Sequence, residues 1–177
     1  KKDREAYEKN WDDIRVFIEY GMMSDPKFYE RAEKFFLFKD TDDKYHTIEE
    51  YKTLIKENQT DKNKALVYLY ATDKDDQYTN IENAKAKGYN VLMMDGILDP
   101  HFISAYEQKE GEKGDDSRAM FARVDSNTID KLIVKDDKET ASGLDDKQKE
   151  TLKAAFEKVI DKVKFNVEFS NEGAEAA

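Results

Sequence analysis

The stretch LVYLYATDKDDQYTNIENAKAKGYNVLMMD, residues 66–95, contains two apolar runs, 66–70 and 91–94, separated by a helical pattern that ends at Gly88. Apolar runs without polar alternation are typical of strands covered on both faces, and a crossover of this length suits parallel pairing. A third run at 120–124 extends the pattern. The order of strand, helix and strand therefore predicts an α/β fold, with a short parallel sheet in a three-layer α/β/α arrangement.

An aspartate follows each predicted strand, namely Asp73, Asp95 and Asp125. Because the carboxyl ends of parallel strands meet at one edge of a sheet, three carboxylates there can hold a divalent cation. One hypothesis is therefore a Mg-dependent hydrolase or phosphotransfer domain. Aspartate after a strand also caps the next helix or stabilises a turn. The capping interpretation is favoured, since no lysine or hydroxyl at a recognisable spacing completes a catalytic site.

The composition narrows the class of partner. Forty acidic and thirty basic side chains give the 177 residues a net charge of -10, which repels nucleic acid and anionic membrane surfaces. No run approaches the roughly 20 apolar residues of a membrane helix. Cysteine is absent, so the chain offers neither a disulfide nor a thiolate, and a cytoplasmic setting is favoured.

The catalytic inventory is thin. His46 and His101 have no second ligand at a zinc-site spacing, and a lone histidine is usually structural. Asp40 begins a segment like a calcium loop, but Lys44 and Tyr45 break the pattern. The sequence also lacks the glycine-rich phosphate loops and the nucleophile and metalloprotease motifs. Dinucleotide, nucleotide, acyl-transfer and metalloprotease chemistry therefore have no support in the sequence.

Three helices are predicted before the sheet. Apolar residues at helical spacing indicate a first helix near 2–19, with Gly21 as its terminator. A capping aspartate before proline at 24–26 starts a second helix that is expected to reach about Lys39. A capping box at 47–50 starts the third.

Two further features organise the second half. Asp99 and Pro100 repeat the signal of a cap followed by proline, so a helix is expected to begin there and cross back to the third strand. A charged linker is predicted at 135–144, followed by a helix that begins at Asp145 and a strand at 165–169. The first and last residues have no clear start or stop signals, and both ends are expected to be cut.

Four segments carry a family resemblance: EYGMMSDPKFYERA at 19–32, NQTDK and VYLYAT within 58–72, KGYNVLMMDGILDPHF at 87–102, and FARVDSNTIDKL at 121–132. They resemble the Hsp90 chaperone family in its bacterial type, and the likeness covers nearly the whole chain. It implies a fragment with four parts: a helical connector of the middle domain (1–57), a small α/β/α subdomain of that domain (58–134), a linker (135–144), and the truncated start of an α+β carboxyl-terminal domain (145–177).

The resemblance also implies a function. The full-length protein would be a homodimeric, ATP-driven chaperone that uses ATP and Mg. Its nucleotide-binding and hydrolysis residues would precede Lys1, so this fragment is expected to bind no cofactor and to hydrolyse nothing. Its partners would be unfolded or partly folded client proteins and the other domains of the same chaperone. The fragment itself is expected to be monomeric.

Matching the family's client-contacting surface residue by residue places it on the helix that begins at Asp99. The candidates there are Pro100, His101, Phe102, Ser104 and Tyr106. Relatives often have an acidic residue and a tryptophan where Pro100 and His101 stand. The resemblance therefore predicts where the client-contacting surface lies, but not the role of each of these two side chains.

Two adjacent methionines, Met22 and Met23, are further client-contact candidates, because methionine adapts to varied apolar partners. Filling an irregular core is the alternative for them, and it is favoured. At least one of Met22, Met23 and Phe102 is expected to be buried.

Overall fold

The computed structural model describes residues 3–114, 118–126 and 151. The chain divides into two units after Lys135, and every element named here belongs to the first. In chain order the elements are α1 (Arg4–Lys9), α2 (Trp11–Ser24), α3 (Pro26–Ala32), β1 (Leu37–Lys39), β2 (Tyr45–Thr47), α4 (Ile48–Ile55), β3 (Leu66–Ala71), α5 (Tyr78–Ala86), β4 (Val91–Met93), α6 (Asp99–Glu112) and β5 (Ala119–Arg123). The predicted linker, last helix and last strand lie outside the described residues.

A parallel three-stranded sheet forms the centre, in the order β4-β3-β5. Leu69 of β3 is in register with Val91 of β4 and with Ala122 of β5, and both pairings are parallel. Helix α5 connects β3 to β4, and α6 connects β4 to β5. The predicted short parallel sheet and the α/β fold are confirmed.

Both faces of the sheet are covered, which explains the uninterrupted apolar runs. Val67 and Leu69 belong to one hydrophobic core together with Ile81 of α5. Tyr68 points to the other face, where a larger core includes Phe102 of α6. Since successive side chains of a strand point to opposite faces, a strand between two cores needs apolar residues at every position.

The helix near the amino terminus differs from the prediction. It breaks at Asn10 into α1 and α2, and α2 continues through Gly21 to Ser24. A Cβ atom on Gly21 would lie only 2.7 Å from the ring of Phe28. Gly21 therefore lets α3 pack closely against α2 and does not end the helix, so the predicted terminator is wrong. The predicted cap at Asp25 is present and accepts the backbone N–H of Lys27 at 2.8 Å.

The second predicted helix is too long, because α3 ends at Ala32 and residues 37–39 form β1. Phe38 of β1 pairs with His46 of β2 in an antiparallel hairpin. Buried Asp40 organises this hairpin, accepting the backbone N–H of Lys44 at 3.0 Å, with the His46 ring Nε2 at 2.9 Å. The hairpin joins the edge of the sheet through a hydrogen bond from the Thr41 N–H to the Val91 carbonyl.

Two local predictions are confirmed. Thr47 and Glu50 form a reciprocal capping box at the start of α4. Gly88 follows α5 with a φ of 80°, a left-handed conformation that glycine adopts without strain. None of the helices among the described residues is long and apolar enough to span a membrane.

Candidate functional site

The turn between β4 and α6 is held by Asp99, which is the first residue of α6 and is buried. Its carboxylate accepts the backbone N–H of Gly96, three residues earlier, at 2.7 Å. The prediction that Asp99 caps the helix is wrong, since Leu98 occupies the cap position. Asp99 instead stabilises the turn that leads from β4 into α6.

The side chain of Arg15 in α2 forms ion pairs with the turn between β4 and α6. Its guanidinium lies 3.0 Å from Asp95, 3.5 Å from Asp99 and 3.5 Å from Glu19. A side chain on Gly96 would clash with the same guanidinium. Glycine at this position therefore allows Arg15 to approach three carboxylates and connect α2 to the start of α6.

Glu19 and Asp99 form a buried pair of carboxyl groups. Burial is the largest effect and, with the nearby charge of Asp99, raises the pKa of Glu19 to about 8, although Arg15 opposes this. Burial also raises the pKa of Asp99. Burial and the neighbouring Asp99 therefore favour the protonated form of the Glu19 carboxyl.

Aromatic side chains anchor the inner face of α6. The ring of Phe102 stacks on that of Phe36, with centroids 4.7 Å apart. The hydroxyl oxygens of Tyr106 and Tyr68 lie 3.4 Å apart, so α6 is tied to the central strand as well. Stacked and edge-on aromatic pairs of this kind add to the free energy gained by burial.

Ion pairs stabilise the carboxyl-terminal end of α6. Glu110 is fully buried and forms ion pairs with Lys52 of α4 and with Lys113. Removing one partner of a buried ion pair leaves an uncompensated charge and is strongly destabilising. The helix is therefore fixed near both ends.

The predicted client-contact residues divide by exposure. Pro100, His101 and Ser104 are exposed, Met23 is half-buried, and Met22, Phe102 and Tyr106 are buried. The expectation that at least one of Met22, Met23 and Phe102 is buried is confirmed. The first two turns of α6 thus present Pro100, His101 and Ser104 outward, while the other side of the helix packs into the core.

The three aspartates that follow the strands, Asp73, Asp95 and Asp125, have other roles in this structure. Asp73 accepts the backbone N–H groups of Asp75 and Asp76, as a capping residue does. Asp95 pairs with Arg15, and Asp125 pairs with Arg123. Within residues 3–114 and 118–126, no three metal-ligating side chains are grouped so that they could hold an ion. The alternative of Mg-dependent chemistry is not favoured.

The sequence analysis did not identify Arg15 and Glu19, whose contacts position the candidate site. They lie four positions apart on α2, on the side that also carries buried Trp11 and Met22. Charged residues within the apolar side of a helix are a sequence signal for a buried ion pair. Their partners in the β4–α6 turn are too distant in sequence for that signal to identify.

Comparisons with known proteins show close relatives. No family model matches the chain. The chaperone protein HtpG of Bacteroides fragilis strain YCH46 is 51% identical over 170 residues, 94% of this chain. HtpG of Porphyromonas gingivalis strain ATCC 33277 is 47% identical over 178 residues, 99% of this chain. The chain spans about a quarter of the length of these relatives, 24% and 25% respectively.

A more distant relative and a solved structure were also found. The endoplasmin homolog of Caenorhabditis elegans is 28% identical over 165 residues, which is 90% of this chain and 21% of that protein. The middle domain of a Plasmodium falciparum heat shock protein is 18% identical, with a TM-score of 0.49, and covers 69% of this chain and 48% of its own.

Proposed function

Because the chain belongs to the Hsp90 chaperone family, as a segment of its HtpG form, we propose that the exposed side of the first two turns of α6 contacts unfolded or partly folded client proteins. The complete protein would be an ATP-driven homodimer in the cytoplasm, with ATP and Mg bound outside this segment. The segment itself would bind clients and transmit motion between domains, without hydrolysing ATP.

The division of α6 into an exposed and an anchored side supports this proposal most directly. Pro100, His101 and Ser104 face solvent, whereas Phe102 and Tyr106 lock the same helix to the sheet. A contact surface on a rigid helix binds without the entropic cost of ordering it first. The exposed side chains are few, so binding by this segment alone is weak.

A mechanical role is proposed for the same framework. Arg15 links α2 to the β4–α6 turn, and Glu110 links α6 to Lys52 of α4. Movement of the connector helices would therefore carry the first turn of α6 with it. In the complete chaperone, this coupling would transmit domain motion to a bound client.

The test uses nuclear magnetic resonance on the isotope-labelled chain, with reduced and alkylated lysozyme as a permanently unfolded probe. We expect shift changes centred on residues 100–104 that weaken severalfold in His101→Ala. The matched control is Asn80→Ala, an exposed position on α5, which should bind like the unaltered chain. An unchanged affinity in His101→Ala and Ser104→Ala, or shift changes confined to other helices, would contradict the proposal.

A further inference from the structure

Arg15 has two alternative sets of partners, one within its own helix and one across the contact between α2 and α6. Glu19 lies one turn further along α2, with its Oε1 atom 3.5 Å from the Arg15 Nε. Asp95 in the β4–α6 turn and Asp99 at the start of α6 lie 3.0 and 3.5 Å from the Arg15 Nη2. We call these four residues the Arg15 cluster.

The Arg15 cluster holds more negative groups than its single cation can balance. The side chain of Asp95 is 57% exposed, so water stabilises its charge. The side chains of Glu19 and Asp99 are each only 2% exposed. Among the described residues, no donor forms a hydrogen bond with the Glu19 Oε1 or the Asp99 Oδ1. One guanidinium balances one of these two buried charges, and a second ionised carboxylate would be buried without compensation.

The neighbouring elements do not remove this imbalance. Asp99, Arg15 and Asp95 are the charged groups with the largest effect on Glu19, and Glu19 itself acts on Asp99 together with Arg15 and Asp95. Helices α1 and α3 also pack against α2, but their described residues form no ion pair with Glu19 or Asp99. Burial and the charge of Asp99 raise the pKa of Glu19 to about 8. Its charge therefore changes just above neutral pH.

We propose that the proton on Glu19 decides which partners Arg15 binds, and that this choice controls the order of the β4–α6 turn. While Glu19 is neutral, Arg15 pairs with Asp95 and Asp99 and stabilises the turn. When Glu19 ionises, Arg15 pairs with it inside α2 instead, and the contacts of Arg15 with the turn weaken.

The change is confined to the turn and the first turn of α6. Phe102 and Tyr106 are buried and keep the helix packed against the sheet, so only the segment before them gains freedom. One consequence rests on the proposed function: a less ordered first turn of α6 binds client proteins more weakly, because binding must then order it. The exchange of partners by Arg15 does not depend on client binding.

The first experiment measures the chain alone by nuclear magnetic resonance. Carboxyl carbon signals follow the ionisation of Glu19, and water exchange of the Gly96 N–H, which donates to Asp99 at 2.7 Å, reports on the turn. Each exchange rate is divided by the intrinsic rate at that pH, which removes base catalysis. We expect Glu19 to titrate near pH 8 and protection of Gly96 to fall about tenfold between about pH 6.5 and about pH 9. Titration of Glu19 near its ordinary 4.5, or constant protection of Gly96, would overturn the proposal.

The second experiment assigns the change to Glu19. Glu19→Gln keeps the shape of the side chain and removes its charge, so Gly96 should stay protected at both pH values. The matched control is Glu30→Gln, at an exposed position on α3, which should keep the tenfold fall of the unaltered chain. Circular dichroism checks that both variants are folded. An equal fall in Glu19→Gln would show that another group is responsible and would overturn the proposal.

Binding of reduced and alkylated lysozyme at the same two pH values separates this inference from the proposed function. The unaltered chain and Glu30→Gln should bind severalfold more weakly at the higher pH than Glu19→Gln does. If protection of Gly96 depends on Glu19 but His101→Ala leaves binding unchanged, the partner exchange stands and the proposed function fails. If His101→Ala weakens binding while protection of Gly96 is constant, the proposed function stands and the partner exchange is overturned.

Discussion

Glu19 of α2 and Asp99 of α6 are two buried carboxyl groups that share a single cationic neighbour, Arg15. Arg15 lies within 3.5 Å of both and supplies one positive charge to the pair. Two buried carboxylates beside a single cation are unfavourable. The folded state therefore favours a proton on one of the two groups. The stability of the contact between α2 and the start of α6 should therefore depend on the protonation state of these two carboxyl groups.

The stability of the fold should consequently decrease with pH in a defined window. The pKa of Glu19 is about 8 in the folded chain against an ordinary value of 4.5. A raised folded-state pKa contributes stability that is complete below pH 4.5 and is lost progressively as pH rises towards 8. Urea unfolding at several pH values should show this decline, and Glu19→Gln should flatten it. The same substitution at exposed Glu30 should leave the decline intact, and an equal slope in Glu19→Gln would exclude this pair as its source.

Asp40 should act in the opposite direction, at acidic pH. Burial alone would raise its pKa, but hydrogen bonds from His46, the Lys44 and Asp42 backbone N–H groups and Asn90 outweigh burial and lower it to about 2. A depressed pKa gives stability that is present above the ordinary value of 3.8 and is lost as pH falls towards 2. Asp40→Asn should lower the free energy of unfolding at pH 7 by about 1–3 kcal/mol. It should also make acid unfolding less steep, and an acid limb as steep as in the unaltered chain would contradict this role.

Two glycine substitutions at opposite ends of α6 should change the stability of the fold in opposite directions. A methyl group at Gly96 would displace the Arg15 guanidinium from between its carboxylates, so Gly96→Ala should cost about 1–3 kcal/mol. Gly111 lies in α6 with no atom within 4 Å of an added Cβ, and Gly111→Ala should stabilise the chain by up to about 1 kcal/mol. Thermal unfolding measures both, and two shifts of the same sign would refute the packing described at Gly96.

Phe102 should be a core residue whose removal destabilises the fold. Its side chain is 1% exposed and stacks on Phe36, so Phe102→Ala should reduce the free energy of unfolding by about 3–5 kcal/mol. Ser104→Ala, at an exposed position in the same helix, should change it by less than about 0.5 kcal/mol. Denaturant unfolding followed by circular dichroism checks both. A loss below about 1 kcal/mol for Phe102→Ala would show that the ring is not packed as described.

Local signals in the sequence predicted the parallel sheet well. The runs that became β3 and β4 are apolar at nearly every position because two cores cover the sheet, and Gly88 marks the end of α5 between them. The capping box at Thr47 was also recognisable, since both of its partners lie within one turn. Each of these features depends on residues that are close in the chain.

The hairpin of β1 and β2 could not be predicted in this way. Phe28, Ala32, Phe35 and Phe36 have helical spacing, so the pattern favoured one continuous helix up to Lys39. The strand at 37–39 instead depends on pairing with β2 and on the hydrogen bonds of Asp40. Three-residue strands have too little periodicity of their own to outweigh a neighbouring helical pattern.

The candidate site was predicted only in part. The family resemblance placed it on α6, but the sequence could not separate exposed His101 from buried Phe102 at the next position. It also could not reveal that Asp99 points back to Gly96 and towards Arg15. These contacts join residues from distant parts of the chain, and only the folded structure brings them together.

Site-specific crosslinking tests the central claim, that the exposed side of α6 contacts unfolded polypeptide, most directly. The chain contains no cysteine, so Ser104→Cys and the control Asn80→Cys can each carry a single photoreactive group. With reduced and alkylated lysozyme present, we predict crosslinked product from Ser104→Cys and little from Asn80→Cys. Equal yields from the two positions, or product from Asn80→Cys alone, would contradict the claim.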